Sequence, residues 1–209
     1  MDAANPPGVT TARPVELETT DGVTLHGDLA LPPGARAGAI VCHPHPQYGG
    51  TRFDGVVTAL FDTLPGAGIA ALRFDFRRRY GGGIDEVLDA RAALAELSSA
   101  VPTVPLVAVG YSFGAMVVLA LDDPVVTAKV LVAPPLGSGP TPESSAPSTA
   151  VLVLTPEHDQ FCPPEAARAA AASWPAADLE ILEGTDHFLT GRRQVAADRA
   201  AAWIGANLG

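Results

Sequence analysis

The chain has 209 residues, of which 47% are hydrophobic and 17% charged, which excludes wholesale disorder and allows a core without metal or disulfide staples. Its formal net charge is −10 and its only lysine is Lys129, so it lacks the basic stripe that nucleic acid or an anionic membrane would need. Its two cysteines, Cys42 and Cys162, fit neither a disulfide framework nor a zinc or redox spacing.

The segment from Met1 to Gly8 has no basic start followed by an apolar run, so it reads as no secretory signal and the expected location is the cytoplasm. Residues 1–13 are expected to form a disordered tail, and residues 14–209 one domain. Alternation over Val15–Thr19, the turn signal Asp21-Gly22 and the run Val23–Leu29 predict an antiparallel hairpin at a sheet edge.

Beyond it the apolar runs become continuous: Ala39–Cys42, Ile69–Phe74, Leu106–Val109, Val130–Val132 and Val151–Leu154, with a later strand at Leu179–Leu182. Runs without alternation suit parallel strands buried on both faces. Helical periodicity lies between and after them, at Phe53–Leu64, Ile84–Leu97, Phe113–Leu121, Pro164–Ser173 and Gln194–Asn207. The alternation predicts an α/β fold with a mostly parallel sheet and helices on both faces. The uncharged stretch Leu97–Leu121 resembles a membrane span in hydropathy, but Pro102, Pro105, Gly110 and Gly114 break it into a strand, a turn and a buried helix. Ala133–Ala150, rich in Pro, Ser and Gly, reads as a long surface loop.

Gly110-Tyr111-Ser112-Phe113-Gly114 matches G-x-S-x-G, with a strand before it and an apolar helix after it. Such a turn presents a serine hydroxyl at its tip, and the glycines keep neighbouring strand and helix from colliding with side chains. In this architecture the acid and then the base follow the serine in chain order. His187 follows the strand Leu179–Leu182, at the sheet end where ligands bind, and is the candidate base. His158 comes too early and reads as an exposed loop histidine. Asp159 is the favoured acid, with Glu157 as its competitor; Asp186, adjacent to His187, suits a turn. An oxyanion needs two backbone N–H donors, one from Phe113 and one from the loop Cys42–Gly50. Pro44 and Pro46 have no N–H, which leaves His45, Gln47 or Tyr48, and His45 is preferred. Tyr48, Tyr80, Tyr111, Phe161, Phe188 and His43 are candidates for the substrate pocket, with Phe53 nearby.

Together, His43-Pro-His-Pro-x-x-Gly-Gly-Thr51, Arg73-Phe-x-Phe-Arg77, the elbow and Asp186-His-Phe188 resemble the small α/β-hydrolase family, compact bacterial hydrolases related to dienelactone hydrolases. The resemblance implies a minimal α/β-hydrolase fold without a large cap, and a serine hydrolase acting on a small ester-like substrate through Ser112, Asp159 and His187, with no cofactor. The chain departs from the family where R-F-N-F-R-G would stand. Arg73-Phe74-Asp75-Phe76-Arg77-Arg78-Arg79-Tyr80 replaces a glycine by Arg78. Arg77–Arg79 either bind a substrate carboxylate or are solvated and paired with acids such as Asp75 and Asp85, the commoner fate of surface charges.

Two other classes compete. His43 and His45 form an H-x-H pair that His187 and Asp159 could complete as a metal site, but prolines flank both histidines and no further Asp-His follows. A hydrolase scaffold can also serve as a binding protein without catalysis. Cys42, on an apolar strand, reads as a buried small hydrophobe. Nothing in the pattern fixes the substrate or the oligomeric state.

Overall fold

A computed structural model describes residues 10–136 and 147–208. β1 (Ala12–Glu18) and β2 (Thr24–Ala30) pair antiparallel as expected, and Gly22 takes φ 81° in the turn between them. β1 begins two residues inside the segment expected to be a tail, because Ala12 and Arg13 pair with Ala30 and Leu29; residues 1–9 lie outside the described residues.

β2 also pairs antiparallel with β4 (Ile69–Phe74), and from there the sheet is parallel. β3 (Ala37–Cys42), β5 (Leu106–Tyr111), β6 (Val126–Val132), β7 (Ala150–His158) and β8 (Ala177–Asp186) complete the order β1-β2-β4-β3-β5-β6-β7-β8. Every residue of β3 and β5 is buried, which is why their sequences do not alternate. Ile40 and Ala108 point into one layer of the core with α2 (Asp85–Ala100), α3 (Phe113–Ala120) and α4 (Pro164–Ala171). Ala39, Val41, Val107 and Val109 point into the other, with α1 (Gly55–Thr63) and α5 (Arg193–Leu208). The architecture is that of an α/β-hydrolase with helices on both faces, and no cap domain interrupts it among the described residues.

β6, β7 and β8 outrun their apolar cores. An apolar run marks only the stretch covered on both faces; β7 continues into exposed Glu157 and His158, and edge strand β8 buries only Leu182 and Thr185 fully. These extensions matter because they carry the chain to the sheet end where the loops converge. The stretch with membrane-like hydropathy is β5, the elbow and α3, and no described helix is long and apolar enough to cross a membrane. Of the long loop expected at Ala133–Ala150, Ala133 and Leu136 are buried, while residues 137–146 lie outside the described residues.

Candidate active site

Ser112 stands between β5 and α3 with φ 53° and ψ −117°, a conformation that L residues rarely adopt. The flanking glycines are sterically required. A Cβ on Gly110 would stand 2.3 Å from the carbonyl oxygen of Gly114, and one on Gly114 would stand 2.3 Å from that of Cys42. Close packing of α3 on the end of β3 therefore brings the elbow against the His43–Gly50 loop.

His187 lies just past the C-terminal end of β8 with its Nε2 2.9 Å from Ser112 Oγ. Its Nδ1 is 2.9 Å from Asp159 Oδ2. A carboxylate at Nδ1 keeps the proton there and leaves Nε2 free to accept one from the serine. Asp159 and His187 are both buried, and Asp159 Oδ1 accepts the N–H groups of Phe161 (2.8 Å) and Cys162 (3.1 Å). Glu157, the competitor, turns elsewhere: its carboxylate accepts the N–H of Gly184 at 2.8 Å. Glu157 sits at an irregularity in the β7–β8 pairing, between Pro156 and His158, and Asp159 follows the end of β7. Asp186 accepts the Phe188 N–H at 3.1 Å, the role of a turn former, and His158 is exposed.

In the His43–Gly50 loop, a short 3-10 turn over Pro46–Tyr48 consumes most of the donors. Gln47 N–H goes to His45 Nδ1, Tyr48 N–H and Gly50 N–H go to the His45 carbonyl, and Gly49 N–H to that of Pro46. Of the three candidates, His45 alone keeps its N–H free of a partner among the described residues, and its ring lies 4.7 Å from that of Phe113. The Phe113 N–H, at the start of α3, lacks a helical acceptor.

Two pocket candidates are not in a pocket. His43 is buried, its Nε2 accepts the Phe76 N–H at 3.0 Å and its Nδ1 lies 2.6 Å from the Pro44 carbonyl. It braces the loop, burial holds its pKa below the ordinary value, and no ring nitrogen is left to ligate a metal. Tyr111 is also buried, and its hydroxyl donates to the His187 carbonyl at 3.1 Å. Tyr111 ends β5 and His43 directly follows β3, two strands whose residues are all buried. The other candidates do reach the surface: Tyr48 is 88% exposed, Phe161 and Phe188 are about half-exposed against the His187 ring, and Tyr80 is half-buried against His45. Phe53 lies under the guanidinium groups of Arg52 and Arg73.

Arg77–Arg79 do not act as one cluster. Arg77 is buried and bonds Asp89 and Asp21, with Asp85 at 3.7 Å, while Arg78 and Arg79 are exposed. Asp75 pairs instead with Arg52. Cys42 is buried in β3, and burial pushes its thiol far above the usual range. Sequence reasoning missed Glu86, which is fully buried and accepts the N–H groups of Gly81 and Gly83, each at 2.8 Å. Its signal was present: Glu86, Asp89, Ala90, Ala93, Leu94 and Leu97 form one helical stripe in which two acids occupy apolar positions.

No family model matches the chain. An uncharacterised protein of Rickettsia prowazekii is 32% identical over 109 residues, a match spanning 48% of this chain and less than half, 46%, of that protein. The solved structure of an α/β serine hydrolase homologue from Coxiella burnetii is 26% identical, with a TM-score of 0.82 over 96% of this chain and 99% of that one. A serine hydrolase without a lid from Xanthomonas campestris is 27% identical, with a TM-score of 0.83 over 98% of both chains. These matches extend over the whole architecture, so the chain shares the fold of α/β serine hydrolases, among them one without a lid.

Proposed function

We propose that the protein is a serine hydrolase that cleaves a carboxylic ester of a small molecule through an acyl-enzyme. The observation that carries this reading is the unbroken chain from Ser112 Oγ to His187 Nε2 and from His187 Nδ1 to Asp159 Oδ2, each link 2.9 Å. Ser112 Oγ attacks the ester carbonyl as His187 Nε2 takes its proton, and Asp159 stabilises the imidazolium. The N–H groups of Phe113 and His45 hold the negative oxygen of the tetrahedral intermediate. His187 then returns the proton to the departing alcohol, and the same groups activate water to release the acid.

The test is covalent labelling with a fluorophosphonate probe, with and without EDTA. Labelling that is lost in Ser112→Ala and indifferent to EDTA is the expected result. Unlabelled protein whose turnover EDTA abolishes would make it a metal-dependent hydrolase. Neither labelling nor turnover would make it a binding protein on a hydrolase scaffold.

A further inference from the structure

The rings at the mouth of the site fall into two groups. Phe161 and Phe188 pack on the His187 ring, at 4.5 and 5.7 Å. Tyr80 packs on the other side, 4.6 Å from the His45 ring and 5.8 Å from that of Phe113. The chemistry assigns the two sides. His187 must hand its proton to the departing oxygen, so the alcohol half of an ester lies on the side of Phe161 and Phe188. The acyl half is then left with the side where Tyr80 wedges against both residues assigned as oxyanion donors.

We propose that Tyr80 is the residue that sets the size of the acyl group, restricting it to short chains; this rests on the serine-hydrolase reading above. The wall that Tyr80 forms cannot readily yield. The Glu86 carboxylate, wholly buried at the start of α2, clamps the N–H groups of Gly81 and Gly83 behind it. A Cβ on Gly81 would collide with the Asp85 side chain at 2.3 Å, and the Cβ position of Gly83 lies 3.7 Å from the Phe113 ring. Glycines at 81–83 let the chain fold tightly back onto α2, with Gly82 and Gly83 at φ 73° and 85°, so that Tyr80 is held against the His45 and Phe113 rings.

The experiment compares kcat/KM for p-nitrophenyl acetate, butyrate, hexanoate and octanoate, and separately for acetates of alcohols of increasing size, in the wild type, Tyr80→Ala and Tyr80→Phe. The wild type is expected to favour the shorter acyl chains. Tyr80→Ala should raise the octanoate-to-acetate ratio roughly tenfold or more, the scale on which pocket contacts discriminate substrates. Tyr80→Phe should keep the wild-type ratio within about twofold, and neither variant should change the ranking of alcohols. An unchanged acyl ratio in Tyr80→Ala, or a change in the alcohol ranking instead, overturns the proposal. Fluorophosphonate labelling of Ser112 in all three proteins separates this failure from the other: if the wild type does not label, the hydrolase reading has failed and the proposal falls with it.

Discussion

Replacing Asp159 by asparagine preserves shape and removes one charge, and the surrounding bonds dictate how the site responds. Asp159 Oδ1 accepts two backbone N–H groups, from Phe161 and Cys162, while Oδ2 faces His187 Nδ1. An asparagine has one carbonyl oxygen and one NH2 group to divide between these sites. Turning the NH2 toward the two backbone donors would leave both unsatisfied, at about 1–3 kcal/mol for each. The amide therefore keeps its oxygen on Phe161 and Cys162 and presents NH2 to Nδ1. Nδ1 must then accept, the proton moves to Nε2, and the imidazole can no longer take a proton from Ser112. The expected cost is about 10⁴-fold in kcat, the effect of such a wrong tautomer in a serine triad, or about 5.5 kcal/mol of transition-state stabilisation. Steady-state hydrolysis of p-nitrophenyl acetate reads the loss, and circular dichroism should show an unchanged fold. Glu157→Gln is the control, since an amide oxygen still accepts the Gly184 N–H, and its kcat should stay within about twofold. A loss below tenfold in Asp159→Asn, or an equal loss in Glu157→Gln, would refute the reasoning.

Two further outcomes concern buried polar groups away from the serine. Arg77→Ala strands the Asp89 carboxylate, which is fully buried and takes both the backbone N–H and the guanidinium of Arg77. Urea unfolding should show a loss of about 3–5 kcal/mol, against about 0.5 or less for exposed Arg78→Ala; equal losses would contradict the burial argument. His43 is held neutral by burial, with its pKa below the ordinary 6.5 against the opposing pull of the Asp75 and Asp54 carboxylates and with the neighbouring His45. Because its pKa is depressed in the folded state, the unfolded chain binds the extra proton first, so this stability is present above about pH 6.5 and is lost as pH falls. His43→Gln, whose amide oxygen can still accept the Phe76 N–H, should lose less stability than the wild type between pH 7.5 and 5 in urea titrations; parallel losses would exclude His43 as the source.

The parts of this fold and site that could be read from sequence are those that local chemistry fixes. Continuous apolar runs marked the strands covered on both faces, and a serine between two glycines at a strand-to-helix junction marked the elbow. The order of Ser112, an acid and His187 reflects chain topology, so it too was readable. Chain order favoured Asp159 over Glu157, and in the structure Asp159 faces His187 Nδ1 while Glu157 accepts the Gly184 N–H. The parts that failed depend on tertiary distance. His43 and Tyr111 looked like pocket residues because they adjoin the loop and the serine, yet both are buried, one just past the end of β3 and the other at the end of β5. Arg77 read as one of three surface arginines, and nothing local shows that Asp21, 56 residues earlier, and Asp89 enclose it.

Backbone strain gives a last constraint on how the site is held. Among the described residues, three non-glycine positions have positive φ: Ser112 at 53°, Ala133 at 46° and Leu189 at 54°. They follow β5, β6 and β8, in the loops at the sheet end that carries Ser112 and His187. Such conformations cost of order 1–3 kcal/mol each and persist only where the surroundings enforce them. Here the enforcement is sequential across the sheet. Ser112 N–H bonds the Val132 carbonyl at 2.9 Å, and Ala133 N–H bonds the Leu154 carbonyl at 2.8 Å, so each strained turn continues the ladder of the next strand. Leu189 is fully buried, and its N–H bonds the Asp186 carbonyl at 3.0 Å across the turn containing His187. The parallel strands thus do more than support the loops: their register fixes the dihedral angles that aim Ser112 at His187. That explains how Ser112 Oγ and His187 Nε2 are kept 2.9 Å apart at the end of the sheet.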